Sequence, residues 1–255
     1  MDHRARELER IHAAYRERDA AGPPGRSPWL DPGYRLQIQE LEWALLQELA
    51  RAGIELTRAR ALEVGCGSGY FLGRLLDYGV SRAAGIDLMD ERIARARERH
   101  PRLELVVGDA SRLPWPDESF DLVTQFTCLS SVLDPELRRR IASEMWRVLA
   151  PGGVVVSYDA RPTPWPIRAL RALAGLRAGG DRAPQGTPTA PVETAELRGW
   201  FAAAEVRCRS VGLDADLGRV LGRFRLAGRM AAGIPALRVH TLAVARRAPL
   251  ADPHR

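Results

Sequence analysis

Apolar positions change their spacing several times along the chain, and each change marks an element. Residues 1–20 are dense in Arg and Glu but carry Leu8, Ile11 and Tyr15 at helical spacing, which predicts a polar helix with one apolar side. Gly22-Pro23-Pro24-Gly25 breaks it. Over residues 34–52, Leu36, Leu41, Trp43, Ala44, Leu45 and Leu49 predict a second helix packed beside a sheet, with the segment before it crossing the mouth of a ligand site. Short apolar, β-branched runs then alternate with helical stretches from Ala61 to Asp159: residues 61–64, a run ending in Gly85-Ile86-Asp87, then 105–107, 120–125 and 154–156. That alternation predicts an α/β fold, a parallel sheet wound on both faces with its ligand at the carboxyl edge of the strands. Asp134 before Pro135 caps a predicted helix over 136–149, and Ala150-Pro151-Gly152-Gly153 ends it sharply and turns into the fifth strand.

Beyond Asp159 the pattern loosens. Arg161-Pro162-Thr163-Pro164-Trp165-Pro166 reads as a loop, because each proline lacks a donor and restricts the residue before it. A basic amphipathic helix over 167–177 and a Gly- and Pro-rich stretch over 178–191 form a predicted acceptor lid. Thr194 caps a helix over 195–204, residues 206–211 form a strand, and Leu217, Val220, Leu221 and Phe224 line a second basic helix bearing Arg219, Arg223, Arg225 and Arg229. Residues 238–246 form the last strand. The division expected is a helical lid (1–52), a ligand-binding core (53–160), an acceptor lid with closing strands in the same domain (161–247) and a disordered tail (248–255).

The most telling local pattern is Glu63-Val64-Gly65-Cys66-Gly67-Ser68-Gly69, an acidic residue ahead of three alternating glycines directly after an apolar run. Residues without Cβ let a ligand approach the backbone, and the free N–H groups of the following helix point into the site. A dinucleotide loop wants its third glycine one position later, where this chain has Tyr70. Glu63 would repel a pyrophosphate but attract an ammonium. The stretch resembles the first motif of the class I S-adenosylmethionine-dependent methyltransferases of the small-molecule, methyltransferase type 11 kind. Three further matches follow in order: Gly85-Ile86-Asp87-Leu88, with Asp87 placed 24 residues after Glu63; Gly108-Asp109-Ala110; and the Pro-Gly-Gly turn at 151–153.

That resemblance implies a seven-stranded, Rossmann-like sheet with its last strand antiparallel, a helical lid at the amino terminus and a helical insertion after strand five. It implies cofactor-binding roles for Glu63, Gly65, Cys66, Gly67, Gly69, Asp87, Leu88, Asp109, Ala110 and Gln125, with Asp87 on the ribose hydroxyls and Asp109 on the adenine amino group. The implied reaction is SN2 transfer of a methyl group from S-adenosylmethionine to a small molecule, leaving S-adenosylhomocysteine. Aminopropyl transfer from the decarboxylated cofactor and a non-catalytic scaffold are the rivals.

Composition narrows the picture. With 255 residues, 45% of them hydrophobic, the chain can bury one full α/β core. Cys66, Cys128 and Cys208 are odd in number and widely spaced, which supports neither a disulfide framework nor a zinc site; no metal is expected. No run approaches the roughly 18 apolar residues of a membrane span, and residues 1–20 lack an apolar export segment, so a cytoplasmic protein is expected. All 38 basic residues are Arg. Residues 1–160 carry 22 Arg against 25 acids, net −3, and residues 161–255 carry 16 against 7, net +9. The excess lies outside the glycine-loop half, and no aromatic-basic ribbon accompanies it, which argues against nucleic acid. The two Arg-studded helices either are solvated faces or rest weakly on an anionic membrane and admit a lipophilic acceptor.

Methyl transfer needs position before it needs a base. Candidates on the acceptor side are Thr127, Cys128, Ser130, Ser131 and Asp134 after strand four, and Tyr158 and Asp159 after strand five, with Asp159 the first choice for a catalytic carboxylate. Tyr15, Tyr34 and Arg35 reach the site from the lid, Trp115 packs its loop, and His240 is a core or edge residue of the last strand.

Overall fold

Side chains with a period of two along the central strands pack two separate apolar layers against one sheet. Strands β1 (Arg60–Val64), β2 (Arg82–Asp87), β3 (Glu104–Val107), β4 (Phe120–Phe126), β5 (Leu149–Ala160), β6 (Glu205–Leu213) and β7 (Arg238–Arg246) run in the order β3-β2-β1-β4-β5-β7-β6. The first five are parallel, and β7 lies antiparallel to both β5 and β6. This computed structural model describes residues 3–20, 30–173, 187–221 and 225–249. The expected break at 22–25, the end of the lid helix at 174–177, most of the stretch 178–191, Arg223, Phe224 and the tail from 250 lie outside them.

On one face Ala61, Leu122, Val154 and Val156 meet Leu41, Leu45 and Leu49 of α2 (Pro32–Arg51), Leu72 and Leu75 of α3 (Tyr70–Asp77) and Ile93 of α4 (Asp90–Arg99). On the other, Leu62, Val123 and Val155 meet Leu137, Ile141 and Met145 of α5 (Pro135–Arg147) and Leu197 of α7 (Thr194–Trp200). The alternation is what a strand buried on both sides requires. Helix α1 (His3–Ala20) lies across the carboxyl edge of the sheet. The second helix starts at Pro32, with the Asp31 carboxylate accepting from Tyr34 N at 2.9 Å, and α5 starts at Pro135, capped by Asp134 as expected. Proline fits the first turn because its missing N–H has no helical partner there.

Several expectations need correction. The Pro-Gly-Gly segment is a kink inside the fifth strand, which begins at Leu149: pairing jumps from Phe120–Leu149 to Leu122–Val154, and Gly152 takes φ +79°. The extra residues bulge out, and proline is tolerated where the ladder is already interrupted. The 161–166 loop gives way at Trp165 to α6 (Trp165–Leu173), since Pro166 falls in the first turn. Glu193, not Thr194, caps α7: its N–H donates to the Glu196 carboxylate at 2.9 Å in a capping box, and the helix stops at Trp200. Where the second basic helix is expected, the described residues form α8 (Ala215–Leu221) and α9 (Arg225–Ala232), with 222–224 outside them. Ala248, expected to start a disordered tail, accepts from Gly152 N at 3.3 Å.

Two tethers bring the chain after β5 back to the site. The buried Arg138 guanidinium donates to the carbonyls of Val132 (2.6 Å) and Ala190 (2.9 Å), while Ala190 N donates to Ser130 O at 2.8 Å. Helix α8 crosses α2 where a Cβ on Gly218 would lie 2.7 Å from Gly33 Cα.

Candidate active site

The strand order reverses between β1 and β4, and a crevice opens at that point beyond their carboxyl ends. It encloses a cavity of about 190 Å³. Gly65 leaves β1 at φ +70°, and a Cβ there would lie 2.7 Å from Cys128 Sγ and 2.8 Å from Cys128 Cβ, so the loop needs glycine twice over. Above Gly67, at φ +53°, the nearest atom to an added Cβ is Arg92 Nη1 at 3.9 Å, which leaves the backbone open to a ligand. Gly65→Ala should therefore raise the dissociation constant of a cavity ligand at least tenfold and lower the melting temperature, because the left-handed backbone costs about 1–2 kcal/mol before the clash is counted. Unchanged binding would show that the loop moves freely.

Asp87, at the end of β2, braces this loop. One carboxylate oxygen accepts from Gly67 N at 2.8 Å and the other from Met89 N at 2.9 Å. A carboxylate has about four acceptor positions, so two remain for ligand hydroxyls. Burial raises its pKa against the pull of those backbone bonds. Asp109 stands across the cavity, accepting from Ser111 N and Ser111 Oγ at 2.8 and 2.9 Å and from the Arg4 guanidinium. Between the two carboxylates the walls are apolar: Leu88, Val132, Leu137 and Ile141, roofed by Leu8 and Ile11 of α1.

Helix α1 is fastened along its length. Glu7 accepts from Leu133 N at 2.5 Å and holds Arg10 at 2.8 Å; burial pushes the carboxyl up, but these bonds bring it below its ordinary range. The Tyr15 hydroxyl meets Ser131 Oγ at 2.8 Å, and Asp19 takes both Arg92 (2.6 Å) and Arg95 (2.9 Å).

Gly65, Asp87, Leu88, Asp109 and Ala110 thus line one cavity, and Gly67 borders it through Asp87 and Arg92. Thr127, Cys128, Ser131 and Tyr15 line it too. Cys66 is buried against the sheet and Gly69 serves as the cap of α3 at φ +77°. Glu63 is buried beneath the loop, its pKa pushed well up by burial and by the charge of Asp87, with Oε2 lacking a hydrogen-bond partner among the described residues. Arg35 is exposed and outside the cavity lining. Arg18 and Arg92, which sequence reading overlooked, line it; the helical spacing of Tyr15 and Arg18 was the available signal.

Gln125 and Asp159 are corrections. Both are fully buried, and they bond to each other instead of facing the cavity. Gln125 Nε2 donates to Ser157 Oγ at 2.5 Å and to Asp159, while its carbonyl accepts from Cys128 N at 2.9 Å. Asp159 also accepts from Ser130 N (2.8 Å) and Ser157 Oγ (3.0 Å). Burial pushes its carboxyl up to about 6. The network fixes the turn after β4 and holds the carboxylate beneath it, outside the cavity lining. Tyr158 is buried and stacks on His240, with ring centres 4.6 Å apart, and Trp115 packs edge-on against Phe120.

A methyltransferase domain family matches residues 62–157. The phthiotriol/phenolphthiotriol dimycocerosates methyltransferase 1 of Mycobacterium ulcerans is 40% identical over 115 residues, 43% of this chain and 41% of that protein. The phosphatidylethanolamine N-methyltransferase of Cereibacter sphaeroides is 41% identical over 118 residues, 43% of this chain and 56% of that protein. The chain therefore matches only about half the length of these curated relatives or less. A solved S-adenosylmethionine-dependent methyltransferase from Mesorhizobium loti shares the fold at TM-score 0.56 and 23% identity, covering 80% of this chain and 98% of that one. The glycine loop, Asp87 and Asp109 meet in one crevice inside residues 62–157, the segment that matches this methyltransferase domain family.

Proposed function

We propose that the chain binds S-adenosylmethionine in this cavity and transfers its methyl group, by in-line displacement, to a lipophilic small molecule. The observation that carries the reading is the opening of Gly65, Asp87 and Asp109 on one crevice at the reversal of strand order. The residues fit the cofactor. Asp87 has acceptor positions left that would take two ribose hydroxyls, Asp109 would accept from the adenine amino group, and Leu88 and Ala110 would pack against the base. Glu63 acts from beneath the loop, where a ligand ammonium would favour its ionised form and answer its unpartnered oxygen. Bound there, the cofactor supplies an electrophilic sulfonium methyl. The chain supplies position and exclusion of water: the end of β4 and the turn after it present Phe126, Thr127 and Cys128 to the cavity, and α1 closes it.

In the same reading residues 1–52 are the lid, 53–160 the cofactor core and 161–247 the acceptor lid with its closing strands. Relatives named as methyltransferases favour methyl transfer over aminopropyl transfer or a scaffold role, and two of them are named for lipid acceptors. Calorimetric titration with S-adenosylmethionine, S-adenosylhomocysteine and NAD tests the cofactor, with micromolar binding of the first two alone expected. Transfer of labelled methyl to a panel of phospholipids and quinols then tests the acceptor class. Absence of binding to both sulfur ligands would remove the reading.

Contact with an anionic membrane is the second part of the proposal. Among the described residues no helix is long and apolar enough to cross a membrane. Yet Trp165 and Leu173 on α6, Val220 on α8, Met230 on α9 and Ile234 after it are all exposed, in the half of the chain with the basic excess. Exposed apolar side chains beside arginines suit a lipid interface. The protein should sediment with vesicles containing phosphatidylglycerol at low salt and leave them at high salt, and Trp165→Ser with Met230→Ser should weaken this. Equal sedimentation with neutral vesicles would refute the electrostatic part.

A further inference from the structure

Three arginines stand at the cavity, and their partners differ. Arg4 holds Asp109, and Arg92 holds Asp19 through two bonds of 2.9 and 2.6 Å. Arg18 lines the cavity with no carboxylate partner among the described residues; its guanidinium lies 5.5 Å from the centre of the Tyr15 ring. Arg92 approaches the same ring at 4.5 Å, and its Nη1 lies 3.9 Å from where a Cβ on Gly67 would stand. Arg18 therefore sits at the glycine-loop end of the cavity, while Arg4, about 21 Å away along α1 by helical rise, marks the Asp109 end.

Burial makes an uncompensated guanidinium costly. It lowers the Arg18 pKa from its ordinary value, against smaller opposing contributions from Tyr15, Asp19 and Tyr34. Every other charged side chain named along the cavity face of α1 has an opposite charge in contact: Arg4 with Asp109, Glu7 with Arg10, Asp19 with Arg92. A ligand anion would complete the set, and the guanidinium fork matches a carboxylate in geometry.

We propose that Arg18 is an anion subsite of the cavity and holds the carboxylate at the amino-acid end of the cofactor. The inference rests on the cofactor reading above and adds a residue outside the matched segment 62–157. It divides the labour between two opposite ends of the ligand: Asp109 receives a donor at one, and Arg18 donates at the other. It also gives α1 a binding role beyond that of a cover.

Two ligands separate the alternatives, S-adenosylhomocysteine and 5′-methylthioadenosine, which has the same base and ribose without the amino acid. Calorimetry on the full chain should show Arg18→Gln weakening S-adenosylhomocysteine roughly ten- to a hundredfold, the range for a lost hydrogen-bonded charge, while leaving methylthioadenosine unchanged. Arg18→Lys should recover part of the loss. Unchanged methylthioadenosine binding also shows that the variant is folded and the roof in place. Equal weakening of both ligands would overturn the subsite, since that is the signature of a displaced helix. Undiminished S-adenosylhomocysteine binding would overturn it too, and an accompanying rise in the Michaelis constant of an anionic acceptor would assign Arg18 to the acceptor instead. If the unaltered protein binds neither ligand, the cofactor reading itself fails and the subsite with it.

Discussion

Replacing Asp87 with alanine is expected to weaken S-adenosylhomocysteine and methylthioadenosine by the same large factor, roughly a hundred- to ten-thousandfold. Two hydroxyls donating to an ionised carboxylate contribute about 1.5–3 kcal/mol each, and each 1.4 kcal/mol is tenfold in affinity. Both ligands carry the ribose, so both should lose equally, unlike the selective loss expected at Arg18. The loop adds to the effect. Gly67 N and Met89 N both donate to Asp87, and without it two N–H groups beside the cavity lose their partner. Asp87→Asn is not a gentle substitute, because its amide must direct a donor at one of these donors. Titration of both variants, with the melting temperature followed in parallel, checks the argument. Retained affinity in a folded Asp87→Ala protein would remove the ribose assignment.

Much of this site was legible because glycine and aspartate carry meaning in their spacing. Gly65 cannot be another residue at φ +70° against Cys128, and Asp87 and Asp109 end neighbouring parallel strands, so a sequence that fits the sheet also fits the crevice. Elements with strong periodicity, α2 and α5 among them, were legible, α5 together with its Asp134 cap, whereas the Asp31 cap of α2 was not. What stayed hidden depends on contacts distant in sequence. Arg18 looks like any surface arginine in a chain whose only strong cation is Arg, and its place at the cavity follows from α1 crossing the sheet edge. Arg138, in a run of three arginines, is the one turned inward by carbonyls at 132 and 190, while Arg139 and Arg140 pair with Glu136 on the surface. Glu193 was passed over as a cap because Thr is the commoner choice, although Glu196 three residues on supplied the capping box.

Asp159, expected at the acceptor, is instead the hub of a buried network, and its loss carries the second large effect. A carboxylate ending a strand at the ligand edge reads as chemistry, but here strand alternation turns it inward, where Gln125, Ser157 and the Ser130 N–H surround it. Asp159→Ala should cost about 3–5 kcal/mol, since it leaves three buried donors without an acceptor. For a chain of this size that is a fall of roughly 6–20 °C in melting temperature. The pH dependence identifies the cause. The folded pKa, pushed up to about 6 by burial, exceeds that of the unfolded chain, so folding favours the protonated form. Its contribution to stability is therefore complete below the unfolded pKa near 4 and is lost as pH rises through about 6, a change on the order of 2–3 kcal/mol. Asp159→Asn has no such titration. Its stability deficit relative to the unaltered protein should be largest near pH 4 and shrink toward pH 7, as denaturant unfolding at both pH values would show. A deficit that grows with pH would mean that the ionised carboxylate is the favoured state, held by its three donors against burial. Ligand contact is a separate matter: the alanine variant, wherever it stays folded, should bind S-adenosylhomocysteine only as much more weakly as a loosened turn at Thr127 and Cys128 allows, because Asp159 itself does not reach the cavity.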